Sequence, residues 1–165
     1  MQTKVKYFVL VIFVLIADQA SKAWATAKLQ FLDTMEILPN LFRFTYARNR
    51  GVAFSLLADS KFEMKWILAG ISTLAAVGVG YYLVRTANNK RLSFSLALLL
   101  AGIVGNLIDR VRLGEVVDFI DFHWYEKYTW PTFNIADAAI CVGAALLAIE
   151  MMREEKLSHA QTPES

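Results

Sequence analysis

The stretch Trp130-Pro-Thr-Phe-Asn134-Ile-Ala-Asp137-Ala-Ala-Ile-Cys141-Val-Gly-Ala-Ala-Leu-Leu-Ala-Ile149 is twenty residues long and carries one charge, Asp137. About 20 mostly apolar residues, rising 1.5 Å each, span the hydrocarbon core of a bilayer as a helix. Three other stretches match this description, so four membrane helices are predicted, at about 6–25, 64–84, 92–110 and 130–151. The second is uncharged between Lys65 and Arg85, and the third meets no charge from Leu92 until Asp109. A carboxylate near the bilayer centre costs ~2.5–3.5 kcal/mol or more, and by default such a residue is functional. Asp137 therefore sends the search to the other polar residues that could meet it.

The bulk composition agrees with a membrane protein. Of the 165 residues, 56% are hydrophobic and only 19% charged, and the mean hydropathy is +0.41; soluble domains carry about 25% charged residues. The length suits one membrane domain, residues 1–165. The net charge of +2 and the lack of a basic cluster with interleaved aromatics argue against nucleic acid. One cysteine, Cys141, and two histidines, His123 and His159, supply neither a disulfide framework nor a metal site, so no cofactor is expected. Lys4 and Lys6 before an apolar run, with Ala23-Trp-Ala25 after it, resemble a signal peptide with a cleavage site. Asp18 and Lys22 fall where such a peptide carries no charge, and the segment is read as a retained first helix.

Lysine and arginine in the short flanks orient the bundle. Lys4 and Lys6, the Arg85/Lys90/Arg91 loop and Arg153/Lys156 share one side, which places both termini in the cytoplasm. The other side holds two longer segments. In about 26–63, Leu41-Phe-Arg-Phe-Thr-Tyr-Ala47 alternates aromatic with more polar positions, and Arg48-Asn-Arg-Gly51 reads as a turn; a small sheet on the outer surface is expected. The segment about 111–129 mixes Glu115, Asp118, Asp121 and Glu126 with aromatic and aliphatic residues, and is expected to form a short interfacial helix. The tail, 152–165, is charged and polar. The fold class is an all-α membrane protein with four transmembrane helices and these two small outer elements.

In an alternating four-helix topology, the ends of helices one and three and the starts of helices two and four share one face. Asp18 and Lys22 lie four apart near the end of the first helix; Asn106, Asp109 and Arg110 sit at the end of the third; Asn134 and Asp137 lie at the start of the fourth. Asp118 occupies the connecting loop. This polarity converges on the outer face, as in a shallow site rather than a path across the bilayer. No serine or Cys141 has a credible base nearby, and paired carboxylates form the one complete catalytic set. Two close aspartates cannot both ionise, so they share a proton, and one can activate water while the other polarises the carbonyl under attack. Plainer roles stand beside this: a helix-end ion pair for Asp109 and Arg110 with Asn106, a snorkelling pair for Asp18 and Lys22, and turn formation for Asn49. A small proton-coupled transporter is the alternative class, and it predicts polar residues near the midplane and internal repeats, neither of which is found.

The blocks Ala17-Asp18-Gln-Ala-Ser-Lys22, Arg48-Asn49-Arg-Gly51-Val-Ala53-Phe54, Gly105-Asn106-Leu-Ile-Asp109-Arg110, Val116-Val-Asp118-Phe119 and Phe133-Asn134-Ile-Ala-Asp137-Ala138 together resemble lipoprotein signal peptidase (signal peptidase II), a family of bacterial membrane aspartyl proteases. Each block alone is weak; five in order between four spans are specific. Position 50 is Arg where many relatives have a small polar residue. The resemblance implies that Asp118 and Asp137 are the catalytic dyad, that Asp18, Asn49, Asn106, Arg110 and Asn134 support the site or contact substrate, and that Asp109 has structural weight. It further implies prolipoprotein substrates carrying a lipobox with diacylglyceryl-cysteine, cut just before that cysteine. The partners implied are those substrates and membrane lipid, for a chain expected to be a monomer. The location implied is the bacterial cytoplasmic (inner) membrane with the site at its periplasmic or outer face, and the inhibitor implied is the cyclic peptide globomycin.

Overall fold

A computed structural model describes residues 2–31, 34–51, 61–86, 89–125 and 127–161. The chain runs α1 (Gln2–Leu29), β1 (Thr34–Leu38), β2 (Phe42–Asn49), α2 (Lys61–Arg85), α3 (Lys90–Leu113), β3 (Val116–Trp124), β4 (Tyr128–Thr129) and α4 (Ile135–Gln161). Each helix contains a stretch long and apolar enough to cross a membrane: Lys4–Leu29, Lys65–Arg85, Lys90–Leu113 and Ile135–Leu157. Residues 52–54 of the second block, Ser55 and Ser60, Glu126, and the end of the tail at 162–165 lie outside the described residues.

The hub is α3. The protein buries 72% of its apolar stretch, against 22%, 11% and 22% for α1, α2 and α4, so α3 is the surface on which the other three pack. Small residues make the approach of α4 possible. A Cβ on Gly102 would lie 2.3 Å from the Ala136 carbonyl oxygen, and one on Gly143 would lie 2.9 Å from Leu99 N and Ser95 O. Both ends of α3 are defined chemically. The Asn89 side chain accepts from Arg91 N and Leu92 N at the start, while Gly114, in the left-handed region at φ 84°, ends the helix by returning its N–H to Arg110 O.

After Gly114 the chain becomes a strand, where the sequence reading expected a short interfacial helix. This is the main correction to the fold. Val116-Val-Asp-Phe-Ile-Asp-Phe-His-Trp124 is rich in β-branched and aromatic residues, and from Phe119 onward it alternates buried and more open positions. Asp121 on this strand and Glu115 just before it meet neighbours in the sheet instead of lining a helix: Arg43 pairs with Asp121 at 2.6 Å, and Arg48 and Arg50 reach Glu115 at 2.8 and 2.9 Å. The two outer segments therefore form one antiparallel sheet of order β1-β2-β3-β4. Its register sets Phe42 opposite Phe122, Ala47 opposite Asp118 and Asn49 opposite Val116, with an irregularity between Phe44 and Ala47.

An aromatic layer seats the sheet on the end of α1. Trp24 meets Phe44 edge-on at 5.2 Å, and Phe42 stacks on Phe122 at 4.9 Å. Ala25, Leu29 and Phe119 form the buried centre of this contact. The segment before α4 also belongs to it, since Phe119 N and Ile120 N both donate to Phe133 O, and Phe133 N donates to Ile120 O. Residues from Trp130 to Asn134 thus run along β3, and α4 begins at Ile135 rather than near residue 130.

Candidate active site

That late start changes the surroundings of Asp137, which lies in the first turn of α4, whereas the expected start near residue 130 would set it about two turns into the helix. Asn134 precedes the helix and caps it. Its Oδ1 accepts from Asp137 N at 2.9 Å, and Asp137 Oδ2 accepts from Asn134 N at 3.3 Å. Such reciprocal bonds satisfy two backbone donors that a helix start otherwise leaves orphaned, and a carboxylate in the first turn also meets the positive end of the helix dipole. Much of the cost of holding Asp137 is therefore offset locally.

Asn134 also grips the second carboxylate. Its Nδ2 donates to Asp118 Oδ1 at 2.6 Å, and lies 3.2 Å from Asn106 Oδ1 and 3.3 Å from Val117 O. Asp118 comes from β3, held beside α4 by the Phe133 bonds, and Asn49 at the end of β2 donates to its Oδ2 at 3.0 Å. Asn49 Oδ1 in turn accepts from Gly51 N, so it serves the turn and the carboxylate together. Asn106 Nδ2 donates to Asp137 Oδ1 at 2.7 Å. Each of the four carboxylate oxygens thus receives one bond from this set.

Beneath the pair lies a buried ion cluster. Lys22 Nζ is 2.9 Å from Asp18 Oδ2, Asp109 Oδ2 and Asn106 Oδ1, a full complement for an ammonium. Asp18 Oδ1 accepts from Ala136 N in the first turn of α4, and Asp109 Oδ2 from Val117 N, the residue before Asp118. Gln19 Nε2 adds bonds to Asp18, Asp109 and Gly105 O. A Cβ at position 105 would fall 2.7 Å from Asp18 Oδ2, so the glycine makes room for this carboxylate. Arg110 bonds Ser72 Oγ at 3.4 Å, and its charge acts on Asp137, Asp109 and Asp118.

All eight residues singled out in the sequence, Asp18, Asn49, Asn106, Asp109, Arg110, Asp118, Asn134 and Asp137, are brought to one end of the bundle. Lys22 and Gln19 are the members that sequence reasoning undervalued. The i,i+4 spacing of Asp18 and Lys22 was the legible signal, whereas the reach to Asp109 and Asn106 depends on helix packing. Burial, and next the Asp137 charge, raise the Asp118 carboxyl from 3.8 to about 6, against the opposing bonds from Asn49 and Asn134. Two cations, Lys22 and Arg110, face four carboxylates, Asp18, Asp109, Asp118 and Asp137. The resulting charge of −2 favours retention of a proton.

The family model for signal peptidase (SPase) II matches residues 10–153. The chain belongs to the signal peptidase II family. It is 45% identical over 143 residues to a lipoprotein signal peptidase of Geobacter sulfurreducens, a match covering 86% of this chain and 88% of that one. The lipoprotein signal peptidase of Pseudomonas aeruginosa is 42% identical over 150 residues, covering 90% and 89%. Two solved bacterial membrane enzymes, determined by the in meso method at 2.3 and 1.9 Å, superpose with TM-scores of 0.80 and 0.78 at 29% and 32% identity. The first match covers 97% of this chain and 93% of that one, the second 88% and 92%. As a member of the signal peptidase II family the protein is a protease on four apolar helices, and the transporter reading is not favoured.

Proposed function

We propose that this chain removes signal peptides from diacylglyceryl-modified prolipoproteins as an aspartyl endopeptidase, with Asp118 and Asp137 as its dyad. The observation that carries the reading is Asn134, which bonds both carboxylates, Asp118 Oδ1 through its side-chain Nδ2 and Asp137 Oδ2 through its backbone N. A residue of that length holds the two groups close enough to flank a single water. The carboxylate that is ionised takes a proton from that water as it attacks the scissile carbonyl, and the carboxyl that holds the shared proton gives it to the carbonyl oxygen. Collapse of the tetrahedral intermediate passes a proton to the leaving amine and returns the dyad to one proton. The raised Asp118 carboxyl assigns it the proton-holding part. Asp18, Lys22 and Asp109 do not face the reacting atoms; they orient Asn106, Val117 and the first turn of α4. No cofactor enters the mechanism.

The flanking charges favour termini in the cytoplasm and the dyad at the outer face of the cytoplasmic membrane. There the acyl chains of a lipidated cysteine stay in the bilayer while the peptide bond just before it reaches the two aspartates. A single chain supplies every residue of this site, consistent with action as a monomer, and globomycin is expected to inhibit it. The test is cleavage of a diacylglyceryl-modified prolipoprotein by purified protein. Asp118→Asn and Asp137→Asn should each lower the rate at least 10³-fold while remaining folded in the membrane. Near-normal turnover by either variant overturns the dyad.

A further inference from the structure

At the end of the bundle remote from Asp118, a groove of about 690 Å³ opens between α1, α3 and α4, lined by Tyr7, Leu10, Phe94, Leu146 and Ile149 along its length. Lys6, Lys90, Arg91 and Arg153 stand at its rim. We propose that this groove binds an anionic phospholipid of the facing leaflet, with one acyl chain along the apolar wall and the phosphate among the four cations. The inference rests on the four helices spanning a bilayer, as read above.

Charge complementarity argues for this occupant. Four cations from three different helices meet one carboxylate in the lining, Glu150. Glu150 is itself buried at 9% exposure and accepts from Asn89 Nδ2 at 2.9 Å, on the seam between α3 and α4. Among the described residues no ion pair involves Lys90, Arg91 or Arg153, and Lys6 lies over the Tyr7 ring. Basic residues that merely obey the orientation rule need no cavity beside them. Here they surround an apolar groove within the ~300–1,000 Å³ range of small-molecule sites, and basic pockets between membrane helices suit lipid phosphates. The groove is also pre-formed: the Tyr7 hydroxyl donates to Lys90 O at 3.2 Å, tying α1 to the start of α3.

Native mass spectrometry of the purified full chain, exchanged into neutral detergent with phosphatidylglycerol and phosphatidylcholine in equal amounts, tests the site. Phosphatidylglycerol should be retained at least tenfold over phosphatidylcholine. The triple variant Lys90→Gln, Arg91→Gln, Arg153→Gln should lose that preference, and Arg85→Gln, a cation at the same end but outside the groove, should keep it. Leu146→Trp, which fills the groove and leaves the charges in place, should also release the lipid. Equal retention of both lipids by the parent, or an unchanged preference in the triple variant or in Leu146→Trp, overturns the proposal; so does a second copy of the chain in place of lipid. Prolipoprotein cleavage by the same preparations in phosphatidylcholine micelles reports separately on the dyad, so the lipid site can fail while the protease reading stands.

Discussion

The Asn134 amide donates to Asp118 Oδ1 and accepts from Asp137 N at the start of α4. Asn134→Ala should therefore lower kcat at least 100-fold with a smaller change in KM, measured in steady-state cleavage, because it frees the Asp118 carboxylate and uncaps the turn that carries Asp137. Lys22 sets a different penalty. Lys22→Met leaves Asp18 and Asp109 buried without their cation, a change that costs about 3–5 kcal/mol and should appear as a large fall in thermal stability in detergent. Asp118 predicts a pH dependence. Its folded value, about 6, lies above the ordinary 3.8, so the folded state holds the proton more tightly. The stability that this gives is complete below about pH 4 and is lost as pH rises through 6, up to about 3 kcal/mol. The melting temperature of Asp118→Asn relative to the parent should accordingly rise between pH 4 and pH 8. The alkaline limb of kcat/KM for the parent should show an apparent pKa near 6 or above, belonging to the pair.

Among the elements, α3 and the first turn of α4 form the least forgiving contact. Gly102→Ala puts a methyl 2.3 Å from the Ala136 carbonyl, which forces that turn, and Asp137 with it, away from α3. Activity should drop at least tenfold while helix content by circular dichroism is kept. The spans themselves were legible because bilayer thickness writes itself into apolar run length, and so were Asp18, Asn106, Asp109, Arg110, Asn134 and Asp137, because each stands out at the end of an apolar run. Asn49 and Asp118, in the polar outer segments, stood out only through the family resemblance and the convergence on Asp137. The strand at Val116–Trp124 was less so. The four acids of the surrounding segment 111–129 suggested a short interfacial helix, and a period of two over nine residues is a weak signal beside the long apolar runs. Only the pairing partners, Arg43, Arg48 and Arg50 on or beside β2, show Asp121 and Glu115 to be contacts of the sheet. The start of α4 was misplaced for a related reason: Trp130 to Phe133 is apolar enough to continue a helix, yet its backbone bonds go to β3.

On the scale of the molecule, a central α3 carries three helices at its sides and a sheet at one end, with the carboxylates where these parts meet. Polar chemistry is gathered at that junction, and the apolar stretches of the helices hold no charge between it and the opposite end. The residue that caps α4 is also the residue that clasps the proposed dyad, Asp118 through its amide and Asp137 through its backbone N–H. This has a consequence for drug resistance. A substitution that evades an inhibitor by re-spacing the aspartates would also fray the helix start and forfeit turnover. Tolerated escape routes must lie at the rim, in the aromatic layer of the sheet, where shape can drift without loosening the clasp.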